Sequence, residues 1–391
     1  MAKKGKHTAQ EPAEQEGKSK TLLQRLRLLV IVAVVVLVVA GLTAMEDGTH
    51  LAALRRWLMY GESASSQDVF SYAADTANQF GQLDSGLLVV GSGEIVLYSA
   101  SGGASYSLPM RMGSPQLSVG SKQAAVCDVG GGVLYLLNRE GLRREMNTER
   151  GLCYYSARLN SSDYLAVTQQ KSGYKAGVSV YNSGGKEIFH FDSSDNYISD
   201  AIVTEDCRRL AAVSLEAQDG AFVTRLLIYD LESAQLTASC AIRDGLALEL
   251  ASRKDRLVVL CDKRLVISAL DGTTLLDRPY GSLYLHGCAL TGKDFCALLL
   301  GRYQSGNACT LTTYDLDGGE IASLELTEEV LDLSAAGDRL AVLFGDRLVI
   351  YDRELTEQAR LEGVGYAKEI HMAEDGTVLV LSGTSARRFL P

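Results

Sequence analysis

The sequence predicts an all-β protein, a β-propeller of eight four-stranded blades preceded by one N-terminal transmembrane helix. Three observations lead to this prediction: an apolar run without charges near the N-terminus, a pair of short strands that recurs eight times after residue 68, and the lack of any long helical period in that region. The chain has 391 residues, of which 47% are hydrophobic and 22% charged, and its net charge is -10. Such a composition can bury a full core, and the acidic balance argues against nucleic-acid binding.

Residues 1–27 form a polar, basic segment. They hold seven cations and three carboxylates, a net charge of +4, so the remaining 364 residues carry -14. We interpret the segment as a solvated cytoplasmic tail. Its charge is suited either to attracting anionic lipid head groups or only to setting the orientation of the segment that follows.

Residues 28–45 read LLVIVAVVVLVVAGLTAM, 18 residues without a charge. As a helix they would span about 27 Å at ~1.5 Å per residue, close to the ~30 Å hydrocarbon core of a bilayer. Cations precede the run and Glu46 and Asp47 follow it, so the positive-inside rule places the N-terminus in the cytoplasm and residues 46–391 outside. We therefore predict a single-pass protein of the cell membrane, held in the lipid bilayer by residues 28–45. A cleaved signal peptide is the alternative.

Residues 46–67 are predicted to be a juxtamembrane stalk and linker. Within residues 50–60 three leucines share one face of a short helical period. This amphipathic stretch either lies at the membrane interface or packs against the next domain. The small, polar residues 61–67 then lead to the β-propeller, predicted over 68–391.

From residue 68 the chain repeats one unit, an apolar strand followed by a second strand that ends near an aromatic residue. The first strands are predicted at residues 87–90, 124–127, 164–167, 210–213, 257–260, 295–299, 340–344 and 378–381. Their partners are predicted at 94–99, 132–138, 178–182, 226–230, 264–270, 311–315, 347–352 and 386–390. The aligned positions, from Tyr98 and Tyr135 to Tyr351 and Phe389, recur every 37–48 residues. One propeller blade has about this length, ~40–45 residues.

Eight units favour eight blades, because a lone four-stranded sheet cannot bury both faces and must stack on its neighbours. The last unit stops after its third strand, and residues 68–72 (DVFSY) precede the first unit. We therefore expect these residues to supply the missing outer strand and to close the ring. Seven blades, with residues 378–391 as an appendage, is the alternative count, and a β-helix or a β-sandwich is the alternative architecture.

The repeats also carry a family resemblance, in residues 181–215 and in LLIYDLES at 226–233. Together with the tail, apolar run and stalk, they resemble an uncharacterised family of single-pass, envelope-facing β-propellers, a domain of unknown function within the quinoprotein-like and YVTN-like propeller group. The resemblance covers residues 46–391 and rests on structural motifs. It implies the fold and the placement at the membrane, and it brings no catalytic residues.

The sequence holds no signature of a cofactor, a metal site or catalysis. The one tryptophan, Trp57, lies outside the repeats, whereas quinone-binding propellers place tryptophans between blades. The eight cysteines include no CxxC pair, and those at repeated positions are a blade or more apart, so we expect free thiols and no zinc site. His286 and His371 fall on predicted innermost strands, and no nucleophile accompanies either one in the sequence.

We predict a partner-binding surface on the face that carries the loops between the first and second strands of each repeat pair. Most of these loops are tight, but three are expected to be long, at 169–177, 216–224 and 301–309. Aromatic and cationic residues are predicted to gather there: Tyr174, Phe222, Tyr303, Tyr154, Tyr197, Tyr284, Tyr366, Lys171, Lys175 and Arg302. Tyrosine and arginine are common anchors of protein interfaces, so the set indicates recognition. The alternative is that these loops have no role and the tyrosines pack between blades.

The sequence thus favours a membrane-anchored, extracytoplasmic binding or scaffolding module that has no catalytic activity. Its partner would be another envelope protein or a wall glycan. A first alternative is an envelope hydrolase or lyase at the channel mouth, which requires two carboxyl groups about 5–10 Å apart, one with a raised pKa. A second alternative is an envelope sensor.

Overall fold

The computed structural model describes residues 68–218 and 221–390. These residues fold into β-strands and their connections, and among them no helix is long and apolar enough to cross a bilayer. The basic tail, the transmembrane helix and the stalk predicted at residues 1–67 lie outside the described residues.

The described residues form thirty-two strands in eight antiparallel four-stranded sheets, the blades. Within a blade the strands are named A to D from the innermost to the outermost. The first strand of the chain, β1 (Asp68–Ser71), is strand D of blade 8. In the order A to D, blade 1 contains β2 (Gln79–Leu83), β3 (Gly86–Val90), β4 (Glu94–Tyr98) and β5 (Ala104–Pro109), and blade 2 contains β6 (Pro115–Val119), β7 (Gln123–Asp128), β8 (Val133–Asn138) and β9 (Gly141–Asn147). Blade 3 contains β10 (Tyr154–Leu159), β11 (Leu165–Lys171), β12 (Tyr174–Tyr181) and β13 (Glu187–Ser193). Blade 4 contains β14 (Tyr197–Val203), β15 (Arg209–Gln218), β16 (Ala221–Asp230) and β17 (Gln235–Ile242). Blade 5 contains β18 (Ala247–Arg253), β19 (Arg256–Cys261), β20 (Arg264–Ala269) and β21 (Thr274–Pro279), and blade 6 contains β22 (Tyr284–Ala289), β23 (Phe295–Gly301), β24 (Cys309–Asp315) and β25 (Glu320–Leu326). Blade 7 contains β26 (Val330–Ala336), β27 (Arg339–Phe344), β28 (Arg347–Asp352) and β29 (Glu357–Glu362). Blade 8 contains β30 (Glu369–Met372), β31 (Val378–Leu381) and β32 (Ser385–Phe389), with β1 as its strand D.

The eight-bladed propeller predicted from the repeat is confirmed. All eight first strands and all eight partners are present, as strands B and C of the blades. The predicted closure is also present, since β1 pairs antiparallel with β32 and places Phe70 opposite Ala386. The Tyr72 hydroxyl adds to this junction, because it lies 2.8 Å from the carbonyl oxygens of Ser382 and Ser385. The start of the domain therefore completes the sheet with which the domain ends.

The recurring aromatic residue marks a β-bulge between strands C and D. The pairing register shifts at Tyr98 and at Tyr351, for example, because the partner strand has one extra residue there. In blade 2 the shift falls between Leu136 and Leu137, so the prediction that Tyr135 holds the equivalent position is wrong. Leu137 is fully buried and takes the aromatic place in blade 2, and Ser268 takes it in blade 5, so the bulge does not require an aromatic ring.

The core is a ring of eight apolar clusters, one at each boundary between neighbouring blades. Each cluster combines alternating side chains of strands B and C from one blade with those from the next. At the closing boundary, Phe70 of blade 8 packs with Leu87 and Tyr98 of blade 1. Because strands B are buried on both faces, they read as short continuous apolar runs in the sequence.

Polar side chains also connect neighbouring blades. The carboxylate of Asp163 in blade 3 accepts hydrogen bonds from the backbone N–H groups of Lys122 and Gln123 in blade 2, at 3.0 and 3.1 Å. At the ring closure the Arg388 guanidinium of blade 8 donates hydrogen bonds to the backbone carbonyls of Ser85 and Ala100 in blade 1, at 3.2 and 3.4 Å. Such contacts hold the blades in register and make the ring a rigid platform.

Candidate functional site

The strand order determines which residues lie at each end of a blade. Strand A begins at one end and strand B returns to it, so the connections between blades and the turns between strands B and C share one face of the ring. We call this the entry face. Every aromatic residue of the predicted binding set lies at this end of its blade.

The entry face concentrates the exposed apolar side chains of the described residues. In total, twelve large hydrophobic side chains are exposed on the described part of the propeller. Nine of them lie on the entry face or at the channel mouth within it: Val129, Tyr174, Tyr197, Leu246, Leu248, Tyr284, Tyr303, Leu331 and Tyr366. The other three are Leu142, Ile188 and Leu236, each the second residue of an outermost strand. The two ends of the ring therefore differ in chemistry, and the entry face is the apolar one.

Two of the three predicted long loops are wrong. Residues 169–177 are a hairpin, because β11 and β12 continue to the pair Lys171 and Tyr174 and leave a two-residue turn. Residues 216–218 and 221–224 likewise belong to the ten-residue strands β15 and β16. Their glycines and polar residues suggested a loop, but cross-strand backbone pairing extends the sheet through them. The third prediction is right in substance, since residues 302–308 join β23 to β24 without strand structure.

Lys175 and Tyr197 come together across the boundary between blades 3 and 4. The Lys175 ammonium lies 5.3 Å from the centre of the Tyr197 ring and donates a hydrogen bond to the backbone carbonyl of Asp195. Tyr197 remains 54% exposed, and Tyr174 beside Lys175 is 44% exposed. The cation over the ring and the hydrogen bond restrain both side chains, so this part of the face is an ordered amphipathic surface.

Blade 6 contributes Tyr284, Arg302 and Tyr303 to the entry face. Tyr284 begins β22 and is 47% exposed, whereas Tyr303 lies in the 302–308 loop and is 67% exposed. The loop is closed by a hydrogen bond from the Arg302 backbone N–H to the Ala308 carbonyl, at 3.1 Å. Its side chains, including that of Arg302, are all exposed.

Tyr366 is the most exposed aromatic residue of the set and has an unusual backbone. Its side chain is 94% exposed, and its φ of 73° lies in the left-handed region. It is the third residue of a turn closed by the Ala367 N–H and the Val364 carbonyl at 3.0 Å, the geometry of a type II turn. Glycine or asparagine is usual at that place, so a tyrosine there holds a strained backbone while burying almost nothing.

One residue of the predicted set, Tyr154, is buried, and the side chain of another, Phe222, is not among those the structure describes. Tyr154 is 2% exposed, so the prediction that it faces a partner is wrong. A bulge between Tyr154 and Ser156 turns Tyr154 into the boundary between blades 2 and 3 and leaves Tyr155 on the channel side. Phe222 lies in β16 near the hairpin end, and its side chain is outside the described residues.

The channel contains a small polar cavity that the sequence did not indicate. Arg158 donates to the Asp200 carboxylate at 3.1 Å and to the Leu250 carbonyl at 2.9 Å, which links blades 3, 4 and 5. With Glu249 these groups line a cavity of about 120 Å³. Burial raises the pKa of Asp200 in spite of the nearby Arg158 cation, and burial likewise raises the pKa of Glu249. The three residues come from three different inner strands, so no local motif could have predicted the cluster.

His286 pairs with Cys309, although no sequence pattern joined them. The His286 Nδ1 lies 3.6 Å from Cys309 Sγ, and its Nε2 lies 2.7 Å from the backbone carbonyl oxygen of Tyr303. The other predicted channel histidine, His371, contacts Glu369 at 2.7 Å. All eight cysteines belong to the described residues and are free thiols. Within residues 68–218 and 221–390, no three His, Cys, Asp or Glu side chains are grouped as metal ligands would be.

Comparison with known proteins adds a family and a fold. The sequence pattern of the Family of unknown function (DUF5711) matches residues 62–363 of the chain. No curated protein sequence matches it. Among solved structures, the chain is similar to the C-terminal WD40 domain of Sif2, with 14% identity, a TM-score of 0.59, and coverage of 85% of this chain and 100% of that one. It is also similar to the computationally designed protein Ika8 (12% identity, TM-score 0.58, coverage 83% and 100%) and to BamB from Moraxella catarrhalis (12% identity, TM-score 0.53, coverage 83% and 99%). At these identities the likeness concerns the fold alone.

Proposed function

Because this chain belongs to DUF5711, a family of unknown function, we propose its role from its own surface: it is a binding module that presents the entry face of an eight-bladed propeller to a partner protein. The observation that carries the proposal is the clustering of nine of the twelve exposed large hydrophobic side chains on that face. The nine side chains come from blades 2 to 8, so seven of the eight blades present apolar or aromatic groups to the same side of the ring. Such residues are typical anchors of protein interfaces.

The kind of residue on the entry face supports a protein partner. Five of the nine side chains are tyrosines, which offer large contact areas with few rotatable bonds and a hydroxyl for hydrogen bonding. The pair Lys175 and Tyr197 is restrained without a partner, by the cation over the ring and by the hydrogen bond to Asp195. Ordered anchors lose little conformational entropy on binding, which favours affinity.

The proposal includes the membrane placement predicted from the sequence. The charge-free residues 28–45 and the cations before them support an anchor with the propeller outside the cytoplasm. The partner would then be another protein of the cell envelope. A wall glycan, whose sugar rings could stack on the same tyrosines, is the second candidate ligand for this face.

A hydrolase or lyase site in the channel is the alternative function, and the pair Asp200 and Glu249 is the observation in its favour. Both carboxyl groups have raised pKa values, as an acid catalyst requires. Their cavity of about 120 Å³ is, however, small beside the ~300–1,000 Å³ of typical small-molecule sites. Arg158 also occupies it and pairs with Asp200. We therefore favour binding over catalysis.

Photo-crosslinking in living cells tests the proposal. A photoreactive phenylalanine analogue replaces Tyr303 or Tyr366 on the entry face, and it replaces Leu236 as the matched control, because Leu236 is 50% exposed on an outermost strand. A discrete protein adduct from the entry-face positions alone is expected, and mass spectrometry would identify the partner. Equal adducts at Leu236, or no protein adduct at either entry-face position, would contradict a protein-binding role. Glycan-linked material at the entry face would replace the protein partner by a wall polymer.

A further inference from the structure

His286 and Cys309 form a pair that the binding function does not use, although it lies under the 302–308 loop that carries Tyr303 of the entry face. Cys309 is the first residue of β24, at the entry-face end of blade 6, and its thiol is 2% exposed. His286 is the residue that the bulge between Leu285 and Gly287 pushes out of the β22–β23 pairing. The bulge therefore places an imidazole beside a thiol that is 23 residues away in the sequence.

The hydrogen-bond partners determine which nitrogen of His286 carries a proton. Nε2 lies 2.7 Å from the Tyr303 carbonyl oxygen, which can only accept, so Nε2 is the donor. In the neutral ring Nδ1 then has the free lone pair, and it faces Cys309 Sγ at 3.6 Å. A thiol, a base within reach of it and a third group that orients the base are the elements of an activated nucleophile.

Gly301 and the loop fix the geometry of this pair. A Cβ at Gly301 would lie 2.3 Å from the His286 Nε2, so the glycine provides the space in which the ring sits. The cover over Cys309 is the 302–308 loop, whose side chains are exposed and which contains a glycine, Gly306, at φ 124°. The Gly306 carbonyl lies 4.0 Å from Cys309 Sγ. Movement of the Gly306 end of this loop would expose the thiol and leave the Tyr303 carbonyl in place on His286.

We propose that Cys309 is a modification site, a thiol that exchanges with small-molecule disulfides with His286 as its base. The thiolate sulfur of Cys309 attacks one sulfur of a disulfide R–S–S–R, and the thiol proton passes to His286 Nδ1. The Cys309 S–S bond forms as the original S–S bond breaks, and the leaving thiolate takes the proton as R–SH. Cys309 is thereby oxidised to a mixed disulfide while one R–S group is reduced to a thiol, so the exchange needs no further oxidant.

The base is required because the thiol is protonated at rest. Burial raises the pKa of Cys309, so a thiolate is scarce at neutral pH and proton removal must accompany the attack. Among the described residues no other cysteine has an imidazole as its hydrogen-bond partner, although the Cys288 thiol donates to the Glu249 carboxylate at 3.8 Å. Cys240 is more exposed than Cys309 but has the Thr274 hydroxyl as its neighbour, at 3.2 Å, and Cys296 is fully buried within blade 6. They are natural reference thiols within the same molecule.

The test measures the reaction of each cysteine of the full-length protein with 2,2′-dithiodipyridine at pH 7, by quenching and peptide mass spectrometry. Cys309 is expected to react at least ~10-fold faster than Cys240, a conservative share of the ~10²–10⁴ that a positioned base provides. His286→Gln should remove this advantage and leave the Cys240 rate unchanged. In His286→Ala, added imidazole should restore part of the Cys309 rate, which a purely structural role would not allow.

Two controls keep the result interpretable. The Cys296 rate reports folding, because unfolding would make that buried thiol reactive as well. Should His286→Gln fail this control, Gly301→Ala retains the histidine but displaces its ring and is expected to slow Cys309 alone. A Cys309 rate no higher than that of Cys240, or a rate unchanged by loss or displacement of the imidazole in a folded variant, would overturn the proposal.

Discussion

Phe70 provides the sharpest test of how the ring closes. It is fully buried in β1, the strand that joins the start of the domain to blade 8. Its ring meets that of Tyr98 edge-on, with 6.2 Å between the centres, and packs on Leu87 and Leu379. Phe70 therefore connects the first and last blades through one side chain, and Phe70→Ala should weaken the whole ring.

The expected loss follows from these contacts. Burying a phenylalanine contributes about 1.5–3 kcal/mol, and an edge-to-face aromatic pair adds about 0.5–1.5 kcal/mol. With the cavity that remains, Phe70→Ala should lower the free energy of unfolding by about 3–5 kcal/mol. Guanidinium denaturation measures this loss. Phe295→Ala is the matched control, because Phe295 is equally buried but lies within blade 6.

Hydrogen exchange distinguishes closure from ordinary core packing. Both variants should lose stability, but only Phe70→Ala should speed amide exchange in Asp68–Ser71 and Ser385–Phe389 ahead of the other blades. A loss below about 1 kcal/mol would refute the energetic reasoning, since it is far under the range for a buried phenylalanine. Unchanged exchange in these two strands would refute the role of β1 in closing the ring.

Three further changes test the entry face, the channel and the anchor. Tyr366→Gly should raise the free energy of unfolding by about 0.5–1 kcal/mol in thermal denaturation, because glycine relieves a left-handed backbone that costs other residues about 1–2 kcal/mol. It should also weaken crosslinking from Tyr303 at least about tenfold if Tyr366 is a binding anchor. Compared with the unmodified chain, Glu249→Gln should gain stability as the pH rises from 4 to 8. Burial raises the pKa of Glu249 in the folded protein above its usual 4.5. The unmodified chain therefore has the full stability that protonation of Glu249 provides only below pH 4.5, and it loses this stability as the carboxyl group ionises. Lysines at Val35 and Val36 should release the protein from membranes in carbonate extraction, since each costs about 2.5–3.5 kcal/mol at the bilayer centre.

The outcomes that contradict these predictions are equally specific. A drop in stability in Tyr366→Gly would mean that the tyrosine packs in the folded protein, despite its 94% exposure. A stability difference for Glu249→Gln that does not change with pH would mean that Glu249 is not desolvated. Retention of the double lysine variant in the membrane pellet would refute the anchor, with Leu236→Lys as the control for a lysine placed on the propeller surface.

The repeat made most of the fold predictable from the sequence, whereas the extent of the hairpins was not. Strands B are buried on both faces, and this leaves short apolar runs that are visible without a structure. The sequence predicts loops where β11 pairs with β12 at Lys171 and Tyr174, and where β15 pairs with β16 at residues 216–218 and 221–224. Polar residues and glycines in a two-stranded ribbon resemble a loop in composition. Backbone pairing, which composition does not report, decides between the two.

The candidate site was predictable only in part. Tyr197, Tyr284, Tyr303 and Tyr366 are exposed on one face, because the strand order of a blade assigns each connection to an end. Tyr154 is predicted on the same face and is buried, because it lies directly before the bulge residue of its strand, whereas Tyr197 and Tyr284 lie one position earlier in theirs. Successive side chains of a strand point to opposite sides, so a shift of one position turns Tyr154 inward. A bulge depends on how a strand meets its neighbour and has no signal in a single segment.

By itself the sequence determined the positions of strands B and C, and it favoured eight blades closed by the first strand over seven, since these features depend on local apolar patterns repeated along the chain. Only the tertiary structure decided which side chains meet across blades. Arg158 reaches Asp200 and Leu250 from another strand, and His286 reaches Cys309 through a bulge. The physical reason is that repeats encode their own packing locally, whereas polar contacts between strands depend on distances and register that arise only when the ring has formed.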